Sequence, residues 1–502
     1  MKSFPLHILA LLLTAVAAPA QDKPAEAPKP EEKKPEPKAE EKKDDSVETQ
    51  HQIAIDGQAL TYTARAGTIT LTKSYGEPRA KVFHVSYLRT GAEDAAKRPV
   101  CFCFNGGPGS SAVWLHMGAF GPRRVVLPEG GTTAPRPPYA LTDNEFTLLR
   151  DADLVFVDPV STGLSQAEKG EDPKQFHGFN EDVESVGDFV RLWITKHNRW
   201  GSPKFLMGES YGAIRVSGLA AHLQDRYGMY LNGVIIVSGL LDFKTLSPED
   251  QNDVPFIAWL PGYTACAHFH KKLAPELMAD FQGLWNRSRE FARGAYANAL
   301  LRGASLPPED RERIAAELST LTSLPKDYIL RQNLRIDPSA FRQKLLENED
   351  RVIGRFDGRV TGPGGDPSYT TVFGAFSTLM NTYLRDKDGL NYQTERPYEI
   401  LNGAVNPWNY GRGNRYFDVC SELGSAITDN PALHVFIACG YHDLATPPEG
   451  IEHSVRHLDL PAELRSNFHW GFYDGGHMMY TVIPSLKKLS TDISGFLKQA
   501  VK

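Results

Sequence analysis

Cysteine is scarce in this chain: five residues in 502. That is too few for a disulfide-built scaffold, and the odd number leaves at least one thiol unpaired within a monomer. No cationic excess exists either. The 55 Lys and Arg are outnumbered by 61 Asp and Glu, a formal charge of −6, so no basic field favours a nucleic-acid partner. Beyond the N-terminus no apolar run approaches the ~20 residues that a membrane helix needs. Gly (43) and Pro (35) are plentiful but not periodic, which speaks for loops and against collagen-like or repeat architectures. Metal-ligand spacings are missing. His268 and His270 are isolated, and neither a metal nor another cofactor is expected. What remains, 41% apolar and 23% charged residues, suffices for a packed core. Length alone sets a prior of roughly three domains.

The first fifty residues are unlike the rest. Met1 and Lys2 precede an apolar stretch from Phe4 to Ala18 that ends at Ala18-Pro19-Ala20. A basic start, a short apolar run and a small-residue end describe a signal peptide over 1–20, so the chain is expected to be exported, to the periplasm or beyond the cell. The run is too short to span comfortably, so no integral membrane segment is expected once it is removed. From Gln21 to Glu48 nearly every residue is Lys, Glu, Asp, Pro or Ala. Such a segment cannot bury enough apolar surface to fold, and residues 21–49 read as a disordered, extended tether.

Folded sequence is expected from about residue 50. Segments 52–56, 59–64, 68–73 and 81–89 are rich in Ile, Val, Thr and Tyr, with turn signals such as Asp56-Gly57, and read as an antiparallel β meander. The pattern then changes to strands alternating with helices. Strands are expected at 99–104, 154–157, 205–207, 234–237, 433–438 and 468–473. Asn180 is expected to cap a helix carrying Val183, Val186, Val190 and Trp193 on one face, and a last helix spans about 485–498. This alternation predicts an α/β fold with a mostly parallel central sheet flanked by helices. Residues 243–400 interrupt it. Helical spacing at 271–301, 309–322 and 338–348, with Gly-rich turns at 354–365, suggests an inserted helical lid between core parts at 50–242 and 401–502.

Chemistry concentrates at four places. Gly208-Glu209-Ser210-Tyr211-Gly212 matches the G-x-S-x-G elbow between a strand and a helix, where Ser210 would be an exposed nucleophile. Asn105-Gly106-Gly107-Pro108-Gly109-Ser110-Ser111 follows an earlier strand. A Gly-rich loop there and the residue after the nucleophile supply oxyanion donors in α/β-hydrolases, which makes the Gly107 and Tyr211 N–H groups the candidate pair. A phosphate loop is the rival reading, but the Lys-Ser/Thr ending is absent. Asp443 and His477 each lie just past a late strand. The order Ser, Asp, His is that of the α/β-hydrolase triad, with His477 as base and Asp443 as the carboxylate that orients it. Asp474 is a rival acid and His442 a rival base, both disfavoured by their closeness in sequence to His477 and Asp443 respectively.

Together with Pro159-Val160-Ser161-Thr162-Gly163-Leu164-Ser165 and Gly475-Gly476-His477-Met478, these motifs resemble the serine carboxypeptidase family from about residue 95 to the C-terminus. The resemblance implies an α/β-hydrolase fold and removal of C-terminal residues from peptides through an acyl-enzyme. It gives Ser210, Asp443 and His477 the triad roles, and gives Asn105 and Glu209 the binding of the substrate's terminal carboxylate. Like charges at that contact require one carboxyl to be protonated, so acid should favour peptidase action. The chain departs from the family at three positions: Cys103 replaces a usual Trp, Ala119 a usual second carboxylate, and Ser161 a usual Gly. Ala119 bears on the carboxylate pocket and predicts a weaker acid optimum than the family's; a peptidase rate that rises only below about pH 5 would contradict it.

The favoured reading is an exported serine-type carboxypeptidase acting on peptides with a free C-terminus. An esterase or acyltransferase with the same triad is the second reading, and a non-catalytic binding protein on the same fold the third. Of the cysteines, Cys101 and Cys103 share one face of a strand at a spacing unsuited to bonding each other, Cys420 and Cys439 could pair, and buried free thiols are the default for all five, Cys266 included.

Overall fold

The computed structural model describes residues 45–502 except 93, 95, 250, 412 and 414. The expected signal peptide and residues 21–44 of the expected tether lie outside the described residues. β1 spans Ser46–Ile55, so residues 46–49 belong to a strand rather than to a tether. It pairs antiparallel with β2 (Gln58–Thr72), which pairs antiparallel with β3 (Pro78–Arg89). Asp56 and Gly57 both take positive φ, 50° and 76°, as a two-residue hairpin turn demands. Segments 59–64 and 68–73 are one strand, not two. Gly67 between them pairs with Ser46 on one side and His84 on the other, so the ladder runs through without a turn.

Beyond β3 the sheet becomes parallel. β4 (Val100–Phe104), β7 (Asp153–Val157), β9 (Lys204–Glu209), β10 (Gly233–Val237), β13 (His434–Gly440) and β14 (Phe468–Tyr473) complete a path in the order β1-β2-β3-β7-β4-β9-β10-β13-β14. Short strands lie beside it. β5 (Arg123–Val125) pairs with β6 (Leu141–Asp143), β8 (Gln166–Ala167) with β3, and β11 (Val352–Ile353) with β12 (Thr361–Gly362), the last at the Gly-rich turns read from the sequence. β4, β7 and β10 are buried along their whole length, which is why they appear as unbroken apolar runs.

Helices cover both faces. α1 (Phe179–Lys196), starting just ahead of the expected Asn180 cap, and α2 (Tyr211–Tyr227) pack on one face. Between β10 and β13 come α3 (Val254–Phe269), α4 (Phe281–Phe291), α5 (Ala297–Arg302), α6 (Pro308–Thr322), α7 (Lys326–Arg331) and α8 (Pro338–Lys344), which share an apolar cluster of their own with Leu444. α3 had no sequence signal because it is buried almost all round, by Phe256, Trp259, Leu260, Tyr263 and Cys266, and contains Pro261. Such a helix shows no 3.6-residue alternation. α9 (Pro367–Arg385) leaves that block and puts Phe376, Met380 and Leu384 into the same cluster as Trp114 and Met117 on the second face of the sheet. α10 (Cys420–Asp429) and α11 (Pro448–Arg456) join the first face, and α12 (Ile483–Ala500) the second. No described helix is long and apolar enough to cross a membrane.

Candidate active site

β9 ends at Glu209 and α2 begins at Tyr211. Ser210 between them takes φ 60° and ψ −125°, a backbone region that residues with a side chain rarely enter. It is part-exposed, while all of β9 and the first ten residues of α2 are buried. The strained turn therefore lifts one hydroxyl out of the core. The Asn105–Gly109 loop after β4 lies directly against it: a Cβ on Gly106 would sit 2.5 Å from the Tyr211 nitrogen and 2.8 Å from the Glu209 carbonyl. Only glycine fits there.

Ser210, His477, Asn105, Glu209 and Gly107 all border one cavity of about 400 Å³. Tyr211 stands behind it, its hydroxyl accepting a 3.0 Å hydrogen bond from the Trp408 indole. His477 and Asp443, from the loops after β14 and β13, meet at Nδ1···Oδ2 2.8 Å, both buried. Asp443 is saturated with donors. Its Oδ1 accepts from the Ala445 and Thr446 amides at 2.8 and 2.9 Å, and its Oδ2 lies 2.7 Å from the Thr446 hydroxyl. Burial pulls the His477 imidazole down, but the Asp443 charge and hydrogen bond, with the Glu209 charge, outweigh it and leave the ring more basic than usual. Asp474 approaches His442 and Arg359, each at 3.6 Å.

A short arm before α9 holds the two loops together. The His477 amide donates to the Phe356 carbonyl at 2.5 Å, the Leu444 amide to Arg355 at 3.1 Å, and the Gly358 amide to His442 at 3.0 Å. The Phe356 ring packs 5.2 Å from the His477 ring, and Arg355 and Phe356 border the cavity. α3 to α8 contribute none of the residues that border it. From the expected insert, only the arm and the first turns of α9 (Ser368, Tyr369, Val372) do.

Glu209 is buried, and its Oε2 accepts from Asn105 Nδ2 at 3.0 Å and from the Tyr480 hydroxyl at 2.8 Å. Asn105 Oδ1 in turn accepts from the Leu115 amide at 3.1 Å. Burial, opposed by the His477 charge and both hydrogen bonds, pushes the Glu209 carboxyl up to about 7. Ala119 sits fully buried in the helical turn Leu115–Phe120, a methyl group and no acid. Ser161 takes φ 71° without being glycine and hydrogen-bonds His177 at 2.8 Å. Cys101 and Cys103 touch at 3.9 Å without bonding, and Cys439 is a free, buried thiol, so it forms no bridge to Cys420. Among the described residues no group of three or more His, Cys, Asp or Glu is placed to hold a metal. Thr446, Phe356 and Tyr480 were missed from sequence; the signal for Thr446 and Tyr480 was their place three residues after Asp443 and His477.

The loop is anchored from below. Arg215 of α2 donates to the Asn105 carbonyl at 2.6 Å and to Asp182 of α1 at 2.8 Å, with both charged side chains almost wholly buried. Arg215→Met should therefore cost about 3–5 kcal/mol, because it strands a buried carboxylate, whereas double replacement by Arg215→Met and Asp182→Leu should cost less. Urea denaturation of the three proteins checks this, and a single-variant loss below about 1 kcal/mol would contradict it.

A parallel sheet with a strained serine elbow, a Gly-rich loop against it and an Asp–His pair on later strand ends defines an α/β-hydrolase. The chain belongs to the serine carboxypeptidase family, whose model matches residues 76–481. It is 26% identical over 164 residues to serine carboxypeptidase-like 29 of Arabidopsis thaliana, covering 31% of this chain and 32% of that protein. It is 27% identical over 190 residues to the lysosomal protective protein of Mus musculus, covering 36% and 35%. These matches span about a third of the length of the curated relatives. The fold is also that of Kex1, a prohormone-processing carboxypeptidase of Saccharomyces cerevisiae, with a TM-score of 0.54 at 15% identity over 88% of this chain and 91% of that one.

Proposed function

We propose that this chain is an exported serine carboxypeptidase that removes C-terminal residues from peptides through an acyl-enzyme. Ser210 Oγ attacks the scissile carbonyl while His477 Nε2 takes its proton, and Asp443 holds Nδ1–H in place. The Gly107 and Tyr211 amides receive the oxyanion. His477 then protonates the leaving amine, and water repeats the sequence on the acyl-enzyme to release the shortened peptide. The observation that carries the peptide reading is Glu209 bound to Asn105 beside Ser210. An acid with its carboxyl near 7 can donate a proton to a substrate carboxylate, which a simple esterase site has no need to do. Residues 1–20 direct export in this reading, the chain from 21 to the start of β1 tethers the enzyme, and α3 to α8 form the body of a lid.

The deciding assay compares an N-blocked dipeptide with its C-terminal amide and a simple ester, with Ser210→Ala as control. Preference for the free acid supports the reading, and turnover of the ester alone sinks it. Glu209 adds a pH signature. Protonated below about 7, it should bind free-acid substrates there and lose them as pH rises through that value. Glu209→Gln presents an amide donor at every pH, so free-acid turnover by this variant should persist above it while the alkaline side of the amide and ester profiles stays unchanged. A free-acid profile with the same alkaline limb in both proteins would rule Glu209 out as the carboxylate-binding acid.

A further inference from the structure

We propose that Tyr480 is a positioning residue that directs the acidic proton of Glu209 into the cavity, and so sets the preference for substrates with a free carboxylate. The inference rests on the carboxypeptidase reading and adds to it a residue from the turn after His477.

A carboxylic acid carries its proton on one oxygen and accepts on the other. At Glu209, Asn105 Nδ2 and the Tyr480 hydroxyl both donate to Oε2, at 3.0 and 2.8 Å. Two donors on one oxygen occupy its in-plane lone pairs and leave the proton to Oε1, while Glu209 itself borders the cavity beside Ser210. With Asn105 alone, Oε2 keeps a free lone pair that can hold the proton, and Oε1 then turns an acceptor toward the substrate's carboxylate. Room for the tyrosine is built into the opposite wall. Tyr480 is buried, and a Cβ on Gly118 would sit 2.7 Å from its ring, so the missing side chain at Gly118 leaves the space in which the ring reaches Glu209. The titratable groups acting on Glu209 are His477, whose charge favours the carboxylate, Asp443, whose charge opposes it, and Tyr480, whose hydrogen bond favours it.

Tyr480→Phe removes the hydroxyl and keeps the ring. At pH 5, where Glu209 is protonated with or without the hydroxyl, KM for the N-blocked free-acid dipeptide should rise about tenfold, with kcat and ester turnover within about twofold; a single lost hydrogen bond to a charged group is of this size. The alkaline limb of the free-acid profile should move to higher pH, because the bond that favours the carboxylate is gone. Infrared titration of the protonated carboxyl, assigned by its loss in Glu209→Gln, reads the same upward move without substrate. An unmoved infrared midpoint overturns the proposal, as does an equal rise in KM for acid and ester, which marks a general distortion. Failure of the carboxypeptidase reading is separately visible as wild-type indifference to the free acid.

Discussion

Ser210→Ala should lower turnover about ten-thousandfold to a millionfold while leaving substrate affinity and stability near their original values. The substitution keeps the Cβ and hence the strained backbone at φ 60°, so it removes the hydroxyl and little else. The two other serines that border the cavity are already engaged. Ser110 borders the cavity but accepts from the Trp114 indole at 3.0 Å and points its own proton at main-chain carbonyls. Ser368 also borders it, but is bound to Asp366 at 2.5 Å and to the Phe356 amide at 3.0 Å. What survives should be the stabilisation offered by the loop and elbow amides to spontaneous hydrolysis. Steady-state kinetics on purified protein decide the matter: residual activity above about one per cent would mean that another group is the nucleophile.

Asp443→Asn should cost about ten-thousandfold in kcat at nearly unchanged geometry. Every partner of Asp443 can be a donor: two amides on Oδ1, and the Thr446 hydroxyl and His477 Nδ1 on Oδ2. An asparagine must keep its carbonyl toward the two amides, which cannot turn away, so its NH2 group faces Thr446 and His477. The Thr446 hydroxyl can adapt by donating only to the Ser238 carbonyl, 2.7 Å away. His477 can adapt only by losing its Nδ1 proton and carrying one on Nε2, where the base must be empty to receive the Ser210 proton. The pH profile separates this from simple misfolding. Since Asp443 is a main cause of the raised His477 basicity, the acid limb of the residual activity should move to lower pH. An unchanged limb with full expression and stability would contradict the assignment.

Much of this site was legible because chemistry and chain order coincide at strand ends. β4, β9 and β13 are buried apolar runs, β14 is an aromatic-rich, half-buried one, and each of the four motifs lies at the end of its run. The parts that stayed hidden depend on packing between distant segments. Tyr480 acquires its role from the absence of a side chain at Gly118, some 360 residues earlier. α3 was invisible because a helix buried on nearly every side has no polar stripe to set its period. β1 begins earlier than its sequence pattern indicates, for the opposite reason. Its first seven positions are exposed or half-buried, so pairing with β2 and not burial defines them as strand. α9 lies within the insert by its place in the chain, but Phe376 and Met380 place it against the sheet.

The Arg355–Gly358 arm bears on modularity. Cap structures above hydrolase sheets are commonly pictured as exchangeable parts, fitted over a core that is complete without them. Here the arm supplies the carbonyls that receive the His477 and Leu444 amides, and its Gly358 amide donates a third bond to the His442 carbonyl. Excision of residues 243–400 would therefore take away the splint that keeps Asp443 and His477 facing each other, and not only the covering. The stretch of chain that borders the cavity is also the one that bonds the Asp443 and His477 loops, so under the proposed mechanism an exchange of the insert would alter substrate range and the alignment of the base together.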